Sequence, residues 1–265
     1  MKLYLDPGHG GTDSGATGNG IQEKDVVLDI ALRIRDLLIG NYSNVSVQMS
    51  RTGNTTKSLA QRTNEANAWG ADYFLSNHCN AFNGSADGYE DFIHSSLSDS
   101  SQTARYRDIL HAEIIKVNGL RNRGKKKANF HVLRESSMPA MLTDNGFIDH
   151  SGNAALMKQN AWKQRVAEGH VNGLARAFNL QEKNGGPGTG QLYKVIAGSF
   201  KSKANADDRV SFLNSKGIQA FVEQVTISGE TWYRVQAGAF TNRTNAENHL
   251  QVVRNTGIDA FIIIQ

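Results

Sequence analysis

The chain holds a single cysteine, Cys79, among its 265 residues. One thiol cannot close a disulfide within the chain, so no disulfide framework exists and cysteine usage names no redox compartment. No apolar run approaches the roughly 18 residues that a membrane-spanning helix needs, so no membrane span is expected. No apolar signal segment opens the sequence either, because Lys2 leads straight into a strand-like stretch. If the target is extracellular, release by lysis or by a non-classical route is therefore expected. A dense basic stripe with base-reading spacing is missing as well, which sets nucleic acid aside as a partner. The formal charge of +4 is mild: it favours polyanionic surroundings without naming one.

What is present is an ordinary globular composition, 39% hydrophobic and 20% charged, with apolar mass enough for a real core. The stretch Gln181–Gly190 carries four glycines and a proline and no apolar residue, and reads as a linker. It separates residues 1–180 from residues 191–265. The first part alternates strand-like and helix-like segments, which predicts an α/β fold with a mostly parallel sheet flanked by helices. Strands are expected at Lys2–Asp6, Val45–Met49, Tyr73–Leu75, Tyr89–His94 and Phe130–Leu133, with another ending at Met141-Leu142. Helices are expected over Val26–Leu38, Ser58–Trp69, Ser101–Val117 and Asn153–Phe178. The second part repeats itself: Tyr193-Lys194-Val195-Ile196-Ala197-Gly198 returns as Tyr233-Arg234-Val235-Gln236-Ala237-Gly238. Each copy reads strand, helix, Gly-Ile turn, strand. Two βαβ copies predict a small α+β domain, a four-stranded sheet backed by two helices, because neither copy alone can bury its apolar face.

Three residues attract attention as metal ligands. His9 follows the first strand within Asp6-Pro7-Gly8-His9-Gly10-Gly11, where glycines let the backbone turn sharply. Glu23 stands just before the first long helix, and His78 ends the strand through Tyr73-Phe74-Leu75. Two histidines and a glutamate form a known catalytic zinc set that leaves a fourth position for water. Each residue also has a plainer reading. A lone histidine is usually a hydrogen-bonding side chain, and a glutamate at a helix start is favoured by the helix dipole. Spacing alone does not decide between these readings.

Residues 1–180 resemble the zinc-dependent N-acetylmuramoyl-L-alanine amidases that cut bacterial peptidoglycan. The likeness rests on Asp6-Pro7-Gly8-His9-Gly10-Gly11, Gln22-Glu23-Lys24-Asp25, Ser50-Arg51-Thr52, Ser58-Leu59 with Gln61-Arg62, Ala71-Asp72 with Ser76-Asn77-His78, and Met138-Pro139-Ala140 running to Gly146-Phe147-Ile148. It implies one zinc ion held by His9, Glu23 and His78, and a six-stranded sheet. It also implies a general acid/base in the segment Leu142-Thr143-Asp144-Asn145-Gly146, where the family has glutamate and this chain has Asp144. Aspartate does the same proton chemistry on a side chain one methylene shorter. The alternative is a wall-binding protein whose catalysis that shortening has weakened or silenced. Cys79, beside His78, is expected to be a buried, inert thiol, since neighbours on an extended strand point to opposite faces.

Residues 191–265 resemble the SPOR domain, a peptidoglycan-binding module of ferredoxin-like shape that favours glycan strands stripped of stem peptides. Tyr193, Tyr233 and Gln236 are candidate sugar contacts on its sheet. The basic run Arg121, Arg123, Lys125, Lys126 and Lys127 has two readings: a solvated loop, or a trap for the carboxylates of stem peptides or wall anions. The combination looks like the sporulation or prophage lytic amidases of bacilli. It implies peptidoglycan as the partner, and a monomer is expected.

Overall fold

The computed structural model describes residues 1–183, 192–227, 229–240 and 243–264. The chain divides into two compact units, Met1–Gln181 and Glu182–Gln265. Most of the expected linker, residues 184–190, lies outside the described residues.

The first unit runs β1 (Lys2–Pro7), β2 (Thr17–Gly18), β3 (Ile21–Gln22), α1 (Glu23–Asn41), β4 (Ser46–Met49), α2 (Leu59–Trp69) and β5 (Tyr73–Asn80). It continues with β6 (Tyr89–His94), α3 (Gln102–Val117), β7 (Asn122–Ala128), α4 (His131–Arg134), β8 (Ala140–Phe147), α5 (Ser151–Met157) and α6 (Asn160–Ala177). Six strands form one sheet in the order β4-β1-β5-β8-β6-β7. Strands β4, β1, β5 and β8 pair in parallel, β6 runs antiparallel to β8, and β7 runs parallel to β6.

Strand alternation explains the layers. Leu3, Leu5, Tyr73, Leu75 and Met141 pack on one face with α1, α3 and α6, through Ile30, Ile34, Leu110, Ile114, Trp162 and Val166. Tyr4, Phe74, Ala140 and Leu142 point the other way, onto Ala66 of α2 and Val132 and Leu133 of α4. The central strands are thus buried on both sides, which is why they read as unbroken apolar runs. Helix α2 starts on a capping box, Ser58 with Gln61, and stops at Gly70 in the left-handed conformation.

Three local expectations fail. Phe130–Leu133 is no strand: Phe130 is the N-cap of the short helix α4, whose Val132 and Leu133 close the α2 side of the core. The sixth strand is the basic run itself. As β7 it pairs only with β6, and an edge strand tolerates and even favours lysine, because charge discourages further strand addition. The helix expected over Asn153–Phe178 is two helices that break at Lys158 and Gln159. Neither residue is a helix breaker, so the apolar period runs through them unbroken in sequence.

The second unit runs β9 (Tyr193–Phe200), α7 (Lys203–Ser215), β10 (Phe221–Ile227), β11 (Glu230–Phe240), α8 (Arg243–Arg254) and β12 (Phe261–Ile264). Its strands pair antiparallel in the order β10-β11-β9-β12. Val195, Ala197, Val235 and Ala237 face Ala206, Leu213, Ala246, Leu250 and Val253 of the two helices.

His170 of α6 lies fully buried beneath β5 and β8, where its Nδ1 donates to the Val166 carbonyl at 2.7 Å. Burial pushes its pKa down to about 4 from 6.5. Below pH 6.5 the unfolded chain takes a proton that the folded one refuses, so stability falls with pH between about 6.5 and 4, by about 3 kcal/mol at the low end. Urea unfolding followed by Trp162 fluorescence should show this loss for the native sequence and a flatter dependence for His170→Gln.

Candidate metal centre and catalytic edge

The parallel strands bring their C-terminal ends to one edge, where an α/β sheet keeps its ligands. His9 follows β1 there, His78 lies near the end of β5, and Asp144 lies in β8. Glu23 opens α1 directly above them, with only 2% of its surface exposed.

Local sequence builds the approach. His9, Gly10 and Gly11 all have positive φ, at 60°, 122° and 62°, so the chain reverses within three residues. Gly8 is required for another reason: a Cβ there would sit 2.2 Å from the His78 ring. The loop therefore passes close enough for the two imidazoles to meet edge to face, with centroids 4.9 Å apart.

Glu23 stands between them. Its Oε2 lies 3.1 Å from His9 Nε2, and its Oε1 lies 2.9 Å from His78 Nδ1. The same carboxylate accepts backbone N–H bonds from Ala16 at 2.8 Å and Cys79 at 2.9 Å. Burial works to raise its pKa, but the hydrogen bonds and positive charge of His78 and His9 win, and the group is held well below the carboxylate range. Asp13 Oδ2 lies 2.8 Å from His9 Nδ1. With a metal on Nε2, that carboxylate would accept from Nδ1–H, the orientation that carboxylate–histidine pairs give metal ligands. Donor atoms of His9, Glu23 and His78 all lie within 4.8 Å of one another. The cluster can hold a metal ion, and its two imidazoles and one carboxylate are the donor set that suits zinc.

Asp144 faces the same side. It is the register partner of His78 across β5 and β8, and of Glu90 across β8 and β6, so three side chains form a row over three strands. Asn80 links them, its Nδ2 donating to Glu90 Oε1 at 3.0 Å and to Asp144 Oδ2 at 3.2 Å. Asp144 is pushed up to about 7, chiefly by burial, with the negative charges of Glu23 and Glu90 adding to the shift and His78 opposing it. Cys79 points into the α1 side of the core, 4% exposed, and burial raises its thiol pKa well above the usual value.

The basic run is neither a loop nor a free trap. Arg123 and Lys126 both pair with Glu90, beside Asp144. Arg121 pairs with Asp87, Lys125 with Asp108 and Lys127 with Asp99. A register shift opposite Tyr89 and Asp91, with Gly124 at φ 87°, places Arg123 on the same face as Lys126.

In the second unit, Tyr193 and Tyr233 lie partly buried against the helix-side core with Val195 and Val235. Gln236 points to the opposite face. There it lies in a register row across all four strands, Phe221, Gln236, Ile196 and Phe261, with both phenylalanines exposed. Gln236 Oε1 is buried without a hydrogen-bond partner among the described residues.

Sequence reasoning missed Asp13, Asn80 and Glu90. Asp13, four residues after His9, carried a faint signal. The other two are visible only once the strand register is known.

The arrangement defines a hydrolase edge on an α/β sheet, and comparison agrees. Residues 3–176 match the Amidase_3 family, N-acetylmuramoyl-L-alanine amidase, and residues 189–264 match the SPOR domain. The chain belongs to this amidase family and carries a C-terminal SPOR domain. It is 52% identical to the N-acetylmuramoyl-L-alanine amidase CwlM of Bacillus licheniformis over 222 residues, 84% of each protein. It is 48% identical to the sporulation-specific N-acetylmuramoyl-L-alanine amidase of Bacillus subtilis, again over 84% of each. The endolysin of Bacillus phage SPP1 is 41% identical, over 80% of this chain and 78% of that protein. Among solved structures, the N-acetylmuramoyl-L-alanine amidase of Clostridium difficile 630 superposes with a TM-score of 0.65 at 31% identity, covering 70% of this chain and 98% of that one.

Gly8→Ala places a methyl group inside the His78 ring's space. Metal retained after dialysis, measured by elemental analysis, is expected to fall at least tenfold relative to the native chain.

Proposed function

We propose that this protein hydrolyses the amide between the lactyl carbonyl of N-acetylmuramic acid and L-alanine in bacterial peptidoglycan. The observation that carries this reading is the convergence of His9, Glu23 and His78 beside Asp144. His9 Nε2, Glu23 and His78 Nδ1 are the groups that would hold one zinc ion. Zinc bound there supplies Lewis-acid polarisation of a carbonyl and lowers the pKa of a water at neutral pH.

The rest of the chemistry falls to the chain. Asp144, with its pKa raised to about 7, both accepts and returns a proton near neutral pH. Its Oδ2 accepts a hydrogen bond from Asn80 Nδ2 at 3.2 Å, which restrains the carboxylate. Asp144 takes a proton from the attacking water as the new C–O bond forms. It gives that proton to the alanine nitrogen as the C–N bond breaks. The Asn80 hydrogen bond restrains the shorter aspartate side chain, which supports an active enzyme over a silent binder. Arg123 and Lys126 lie beside this row, where they would meet a stem-peptide carboxylate if it displaced Glu90.

We further propose that residues 1–180 carry catalysis and residues 191–265 hold the wall. The row Phe221, Gln236, Ile196 and Phe261 offers flat apolar rims around an unpaired amide oxygen, which suits a sugar's faces and hydroxyls. Tethering would raise the local amidase concentration to the millimolar range.

Dye release from purified walls should require zinc and vanish with chelator or in His78→Ala. Asp144→Asn is expected to lower kcat by about 10²- to 10⁴-fold, the ordinary worth of a general acid–base group. Full activity in either variant would overturn the mechanism. Deleting residues 181–265 is expected to slow digestion of intact walls and spare small soluble muropeptides; equal loss on both substrates would contradict the division of labour.

A further inference from the structure

Two arginines lie buried beneath the metal centre, each only 3% exposed, and the chemistry above does not use either. Arg62 has a carboxylate partner, Asp6 Oδ1 at 2.6 Å. Its Nη1 also donates to the Pro7 carbonyl at 2.9 Å and its Nη2 to the His9 carbonyl at 2.7 Å. Arg51 differs. All four of its hydrogen bonds to oxygen run to backbone carbonyls: Nε to Pro7 at 3.0 Å, Nη1 to Gly53 at 3.1 Å, and Nη2 to both Gly8 at 2.7 Å and Lys24 at 2.8 Å.

A buried guanidinium with no ion-pair partner among the described residues is costly. Burial and the neighbouring Arg62 charge bring the Arg51 pKa down to about 10, which leaves it charged at neutral pH. What that cost achieves is visible in the partners. Gly8 precedes His9, and Lys24 follows Glu23. One nitrogen of Arg51 therefore ties the loop of the first histidine to the helix turn of the glutamate. Together Arg51 and Arg62 collect the consecutive carbonyls of Pro7, Gly8 and His9, and so hold a segment whose His9 sits at φ 60° against its own preference. Asp6 extends the tie to the third ligand strand, because its Oδ2 accepts from Ser76 Oγ at 2.8 Å, two residues before His78. Gly10 makes room for the device: a Cβ there would lie 2.8 Å from Arg51 Cδ and Nε.

We infer that Arg51 is a positioning residue for metal binding, a clamp that holds His9 and Glu23 at a fixed separation before the ion arrives. The inference rests on the zinc reading of the preceding subsection. A guanidinium fork reaches four carbonyls in fixed directions, whereas a lysine ammonium is a point donor that cannot span them.

The test is zinc affinity of the full chain, measured with zinc ion alone by competition against a chromophoric chelator, with melting of the metal-free protein measured alongside. Arg51→Met is expected to weaken zinc binding by about 10- to 100-fold, the usual penalty for losing a group that orients metal ligands. Arg51→Lys, which keeps the charge and the fold's buried cation, is expected to lose about tenfold by the same reasoning. A lowered melting temperature with unchanged zinc affinity in Arg51→Lys would make the arginine merely structural and overturn the inference. If Arg51→Met does not fold, Arg51→Lys alone decides. Failure of the native chain to bind zinc would instead refute the reading on which the clamp rests.

Discussion

The arrangement at the catalytic edge depends on one buried carboxylate. Glu23 meets His9, His78 and two backbone N–H groups at once. Its charge survives burial because the hydrogen bonds and charge of His78 and His9 outweigh desolvation. Everything around the carboxylate can be understood as bringing partners to it. The β1 loop turns left-handed to present one imidazole, β5 carries the other near its end, and the first turn of α1 places the carboxylate between them. The second carboxylate of the edge, Asp144, experiences the opposite balance. Burial and the charges of Glu23 and Glu90 raise it, so two acidic groups on one sheet edge have well-separated proton affinities.

Much of this was legible in the sequence, for identifiable reasons. The sheet strands β1, β5 and β8 are buried on both faces, and continuous apolar runs betray such strands directly. The glycines around His9 announced a tight approach, and the Cβ positions at Gly8 and Gly10 explain what they accommodate. The internal repeat announced the second unit's four-stranded sheet and two helices, because closely similar segments fold alike. Where the reading failed, tertiary context outweighed local pattern. The run Arg121–Lys127 has no apolar alternation, and only its place at a sheet edge makes it a strand. Lys158 and Gln159 carry no breaker, yet the helix divides there.

The polar partners of Asp144 were the least readable. Glu90, Asn80 and Asp144 are separated by up to 64 positions in the chain, and their alignment follows only from the pairing register of β5, β8 and β6. Arg51 and Arg62 stood out as fragments of a family likeness without any role. Their role lies in the carbonyls they collect, and backbone acceptors leave no mark in a sequence.

The reversed direction of β6 carries a consequence of its own. Since β6 runs against β8, it begins at the very edge where β5 finishes, so residues 81–88 connect the two without crossing the sheet. That short bridge starts immediately after Asn80 and is pinned by Asp149, which accepts N–H bonds from Phe82 and Gly84 at 3.0 and 2.8 Å. Phe82 stands 78% exposed upon it. Insertions or exchanges there would leave strand order and register intact while reshaping the rim of the cleft. These few positions can therefore vary without disturbing the register of the strands that carry His78 and Asp144.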